Sequence, residues 1–128
     1  MIVEYMGGMK LVARHRGLEV MSDQPEDGGG ANTALTPTEL FVASLGMCVA
    51  VYVLYFARRH EIRVEGMKLE VDYTYAEQPR RVGSVDIRIH MPQPVSESHR
   101  AALHRAAEQC LVHNSLRQPP SVQIAIMD

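Results

Sequence analysis

Two cysteines are the residues of this chain best suited to covalent chemistry. Cys48 stands in Leu40-Phe41-Val42-Ala43-Ser44-Leu45-Gly46-Met47-Cys48-Val49, inside an uncharged run that opens with Thr36-Pro37-Thr38-Glu39. Cys110 stands in Ala106-Ala107-Glu108-Gln109-Cys110-Leu111-Val112-His113-Asn114. Two thiols that meet in space can run a peroxide-reducing cycle, in which one attacks and the other resolves it as a disulfide. Two thiols that never meet are small core hydrophobes. Only a thiolate attacks peroxide, and a buried thiol holds its proton, so the cycle also needs a cation close to the attacking sulfur.

Other constellations are weaker. The six histidines form no metal signature, and Cys110-x-x-His113 is only half a zinc site. His99 and His104 are five apart and do not share a helical face, whereas His104 and Glu108 are spaced as a surface pair. A Cys–His hydrolase with His113 as base lacks a third, orienting residue. Ser44, four residues before Cys48, is placed to bond back to a backbone carbonyl. Gly28-Gly29-Gly30 invites comparison with a phosphate cradle, but no Gly-Lys-Ser/Thr follows, and a loop is the simpler expectation. Nothing here calls for a cofactor or a metal.

Composition narrows the function classes. The chain has 128 residues, 46% hydrophobic and 22% charged, which is the make-up of one globular domain spanning 1–128. A net charge of −2 argues against general nucleic-acid binding, and 5% aromatic residues with no Trp argue against a base-stacking platform. The start, Met1-Ile2-Val3-Glu4-Tyr5-Met6-Gly7-Gly8, lacks the basic and apolar regions of a signal peptide. With two cysteines only, reduced thiols and a cytoplasmic location are expected. Leu40 to Ala57 is 18 residues without a charge, at the lower edge of membrane-spanning length, followed by Arg58-Arg59-His60. An ordinary helix cap and the α+β remainder favour a core helix at the centre of a soluble assembly over a membrane span.

These residues must be positioned by the elements around them. Met9 to His15 and Leu18 to Ser22 read as strands around a His15-Arg16-Gly17 turn, with Ile2 to Met6 as a possible third. Asp23 to Leu35 reads as a loop. Thr36 fits an N-cap, Pro37 the first helical position and Glu39 the third, so a helix is expected from there to about His60. Arg63 to Tyr75 and Val82 to His90 alternate as a hairpin around Glu77-Gln78-Pro79-Arg80. A second helix is expected from Ser96 to about Val112, with Leu103, Ala106, Ala107, Cys110 and Leu111 on its apolar face, and a last strand from Val122 to Ile126. The order is that of an α+β fold with helices packed on antiparallel sheets.

Thr36-Pro37-Thr38-Glu39-Leu40-Phe41-Val42-Ala43-Ser44-Leu45-Gly46-Met47-Cys48 resembles the helix-opening motif of the OsmC/Ohr proteins, the osmotically inducible and organic-hydroperoxide-resistance family. Cys110-Leu111-Val112-His113-Asn114-Ser115-Leu116 resembles that family's second-cysteine motif, with Leu111 where the family has Pro. The resemblance covers nearly the whole chain. It implies an intertwined homodimer, with antiparallel sheets wrapped around long central helices and active sites at the interface. It also implies a thiol-dependent peroxidase acting on organic hydroperoxides in oxidative-stress defence. Cys48 would be peroxidatic and Cys110 resolving, with a dihydrolipoyl group or another dithiol as reductant. The family's cationic partner comes from an early turn, where Arg14 and Arg16 are the candidates and Arg16, at the tip before Gly17, is preferred. The family's peroxidases place Glu directly after the motif Pro. Here Thr38 stands there and Glu39 follows, a rotation of about 100° on a helix, and Glu39 also suits a capping box. The alternative is a non-catalytic dimer of the same fold, binding a small ligand or sensing redox state through its thiols.

Overall fold

The capping residues mark the start of the helix that carries Cys48. In the computed structural model, which describes residues 1–128, α1 runs Pro37–Arg59. The Glu39 amide donates to Thr36 Oγ1 at 3.1 Å and the Thr36 amide donates to Glu39 Oε1 at 2.8 Å. Those two bonds satisfy donors that a helix start leaves open. Arg58 and Arg59 stand in the last turn, at the negative end of the helix dipole. One stripe of α1, Val42, Leu45, Gly46, Val49, Val53 and Ala57, is buried. Another, Met47, Val51 and Tyr55 at four-residue spacing, is exposed. Helix α1 is long and apolar enough to cross a membrane, and within the chain only one of its apolar faces is covered.

The covered face packs on a hairpin of β4 (Lys68–Ala76) and β5 (Arg81–His90), paired antiparallel with Leu69 opposite Ile89, Val71 opposite Ile87 and Tyr73 opposite Val85. Period-two alternation sends these side chains to one face. Leu69, Val85, Ile87 and Ile89 join Leu45, Val49, Val53, Leu103, Ala107 and Cys110 in the core. Glu70, Asp72, Arg88 and His90 take the outer face, where Arg88 bridges Glu70 and Asp72. At Gly46 the helix lies so close to β4 that a Cβ would stand 2.9 Å from Val71 Cγ2. Helix α2 (Glu97–Ala107), capped by Ser96, and the short α3 (Leu111–Arg117) pack along α1.

The first three strands form a separate antiparallel sheet in the order β1 (Ile2–Tyr5), β2 (Leu11–His15), β3 (Leu18–Ser22). Its turn residues Arg16 and Gly17 both adopt positive φ, 55° and 77°. The loop after it is organised by buried Asp23, which accepts from the amides of Gln24, Ala31 and Thr33 and from the Thr33 hydroxyl. These bonds, led by the Thr33 hydroxyl, pull the Asp23 carboxyl down from 3.8 to about 2. The loop amides therefore serve an internal carboxylate rather than a phosphate. Glu26–Gly28 forms one turn of 3₁₀ helix within it, which the loop composition did not foreshadow.

Three expectations are corrected. The strand expected from Arg63 begins at Lys68, because Val64 to Met67 makes a turn closed by the Met67 amide on the Val64 carbonyl at 2.8 Å, with Gly66 at φ 96°. The second helix ends at Ala107 rather than near Val112, since the chain unwinds through Glu108 and Gln109 before α3. The segment Val122 to Ile126 is not a strand: it has no hydrogen-bonded neighbour in the chain, and Val122, Ile124 and Ile126 are 76%, 90% and 96% exposed.

These open faces add up. The chain exposes 9771 Å², whereas a folded monomer of 14.3 kDa is expected to expose about 6,800 Å².

Candidate active site

The fold brings the two cysteines together. Cys48 is half-buried on α1, one residue before Val49 of the core stripe. Cys110 is fully buried. Cys48 packs against the core cluster that contains Cys110, close enough for each thiol to bear on the other. Neither is in a disulfide.

Cys110 reaches this position by a route that helical periodicity did not foresee. It lies not on the apolar face of α2 but at the break after it, with extended backbone (φ −52°, ψ 129°), as the N-cap of α3. Its Sγ accepts the His113 amide at 3.4 Å. Cysteine is not among the favoured N-caps, so nothing in the sequence marks this break. Burial pushes the Cys110 thiol up, the contact with Cys48 adds to that, and the His113 amide pulls the other way. Cys110 therefore enters any exchange carrying its proton. It can donate a hydrogen bond to a charged neighbour.

The other candidate residues sit apart from the pair. Glu39 is engaged in the capping box, and its charge, after burial and Tyr75, contributes to holding the Tyr73 hydroxyl above its ordinary value. Tyr73 lies on the inward-facing register of β4, legible from the alternation that set it with Leu69, Val71 and Tyr75. Arg14 is held by ion pairs with Glu4 and Glu19 on the sheet surface. Arg16 is exposed at the β2–β3 turn and makes no hydrogen bond or ion pair within the chain. The hydrogen bond to the Cys110 sulfur comes from the backbone amide of His113, not from a lysine or arginine side chain. Ser44 bonds back to the Phe41 carbonyl at 2.7 Å, and His104 stands 3.9 Å from Glu108 at the surface, as their spacings imply.

The family model described as OsmC-like protein matches residues 28–125, which hold both thiols, all three α-helices and the hairpin. This chain belongs to the OsmC-like family. Among solved structures, an osmotic stress induced and detoxification response protein from Psychrobacter arcticus is 32% identical. The match covers 89% of this chain and 85% of that one, with a TM-score of 0.84. An organic hydroperoxide resistance protein from Legionella pneumophila shares the fold at 21% identity, 91% and 88% coverage and a TM-score of 0.66. An OsmC-like protein from Mycoplasma pneumoniae does so at 15% identity, 86% and 80% coverage and a TM-score of 0.72. No curated protein matches the chain. The OsmC-like assignment agrees with the α+β architecture and supports a stress-related role.

Proposed function

We propose that this OsmC-like chain is a cytoplasmic, thiol-dependent peroxidase for organic hydroperoxides, acting as a homodimer. The observation that carries the reading is the contact between Cys48 and Cys110 in an apolar interior. The Cys48 thiolate attacks the O–O bond, takes one oxygen as sulfenic acid and releases the alcohol. The Cys110 thiol then attacks the Cys48 sulfur, forming a disulfide and releasing water. A dithiol such as a dihydrolipoyl group reduces that disulfide by exchange and is itself oxidised.

The dimer supplies what one protomer lacks. About 3,000 Å² of surface beyond the monomer expectation is of the order that an obligate dimer covers. It includes the apolar stripe of α1, both ends of the chain and exposed Val3, Tyr5, Leu18 and Val20 on the first sheet. Docking that sheet on a second protomer would carry the unpaired Arg16 toward the other subunit's thiols, where a cation is needed to hold a thiolate. Glu39 orders the start of the helix that carries Cys48.

Intact mass and a free-thiol count after one equivalent of cumene hydroperoxide test the proposal. Loss of two hydrogens with both thiols consumed is expected, and Cys110→Ser should instead gain one oxygen at Cys48. Unchanged mass with both thiols free would overturn it. The second reading, a ligand-binding or redox-sensing dimer, is favoured by the state of the early-turn cations, since Arg14 is paired with Glu4 and Glu19 and Arg16 is exposed at its turn. It would then stand.

A further inference from the structure

A second feature of the molecule borders the thiol pair at one end, where its lining includes Val49, next to Cys48, and His113, whose amide donates to Cys110 Sγ. Between β5 and α2 runs a groove made of two adjoining cavities, of about 210 and 250 Å³, which share Ile87, Ile89 and His104 in their walls. Neither Cys48 nor Cys110 lines it. Together the cavities reach the low end of small-molecule sites, roughly 300 to 1,000 Å³.

The floor is aliphatic along its whole length. Val53, Leu103, Met91 and Val95 close one end, and Val49 and Leu45 continue it toward the other. Nothing in the floor hydrogen-bonds, so a polar or branched polar ligand would leave its own groups unsatisfied there. A linear alkyl chain suits both the shape and the chemistry.

The charge is on the rim. At the end closed by Val95, the mouth is lined by Arg100, while His104, one helical turn further along α2, lines both cavities and stands 3.9 Å from Glu108. Arg100 is met only by Glu97, at 3.8 Å, and both side chains are largely in water, where such a pair holds weakly. Glu108 faces the opposite end of the groove, next to His113. The Arg100 guanidinium thus stands at one end of the rim and the His104–Glu108 pair toward the other, which sets a direction for an anionic head group.

We propose that this groove binds a straight-chain aliphatic monocarboxylate, its chain along Ile87, Ile89 and Leu103 and its head group on Arg100. The thiols contribute no surface to it, so binding here does not require their side chains.

Isothermal titration calorimetry on the full-length protein tests this with octanoate, hexanoate and 1-octanol. Octanoate is expected to bind wild type and Cys48→Ser alike. Hexanoate should bind on the order of tenfold more weakly, from about fourfold per methylene removed. Arg100→Gln, an exposed change, should reduce octanoate to the affinity of 1-octanol. Val95→Trp, which fills the mouth, should abolish binding with the circular dichroism spectrum unchanged. No heat from octanoate with folded, assembled protein would overturn the proposal, a second copy of the chain then being the occupant to test. Binding lost in Cys48→Ser but kept in Arg100→Gln would also overturn it, placing the ligand at the thiols. Failure of the peroxidase reading would leave every one of these results in place.

Discussion

The two sheets of this molecule use the same pattern of alternating residues and end in opposite circumstances. The β4–β5 hairpin lays Leu69, Val85, Ile87 and Ile89 against α1 and α2, and the thiols lie inside that core. The first sheet is equally well paired along its backbone, yet Ile2, Tyr5, Leu18 and Val20 stay in water, and Val12 is its only fully buried apolar side chain. Each sheet thus pairs its strands within the protomer, but side-chain burial on the two is unequal. One part of the chain folds around its own core, and the other offers faces that need a second molecule.

That contrast can be broken at its weakest point. Replacing Val122, Ile124 and Ile126 together by Ser removes apolar groups that are largely exposed in the single chain. If the open faces are an interface, sedimentation equilibrium should show loss of the dimer. A monomeric wild type would remove the contrast altogether. In the part with its own core, Leu103→Ala should lower the unfolding free energy by about 2–5 kcal/mol in denaturant titrations, since it leaves a cavity beside Val53. Thr36→Ala removes the acceptor for the Glu39 amide and should cost about 1 kcal/mol in the same assay.

The smallest effect lies at the junction between the two parts. The folded Asp23 carboxyl titrates at about 2, below its ordinary 3.8. Its contribution to stability is present above pH 4 and is lost as pH falls through 2. Thermal melts of wild type should therefore drop more steeply from pH 4 to pH 2 than those of Asp23→Asn. Parallel slopes would show that the loop does not depend on this charge.

What the sequence revealed divides along the same line. The start of α1 was legible because Thr36, Pro37 and Glu39 act on neighbours one turn away. The hairpin was legible because its alternation is answered within the chain, though the turn at Gly66 trimmed its beginning. The break before α3 was not legible: no Gly or Pro marks it, and Cys110 points inward under either description. The alternation of Val122 to Ile126 is real, but a strand is a relation between two segments, and the chain provides no neighbour for it. The meeting of the thiols, expected from the family resemblance, rests on tertiary packing that no local pattern encodes. Arg16 is in the same position, for its surroundings are only partly set by its own chain.

Gly46 stands two residues before Cys48, and its missing side chain lets α1 settle against Val71. Valine is branched at Cβ and stiff, so that contact yields little. The glycine works like an indexing notch on a shaft. It admits one rotation of the helix about its axis, and the angle at which Cys48 faces Cys110 is set from there. A methyl group at this position would be felt less as lost stability than as two sulfurs brought out of alignment.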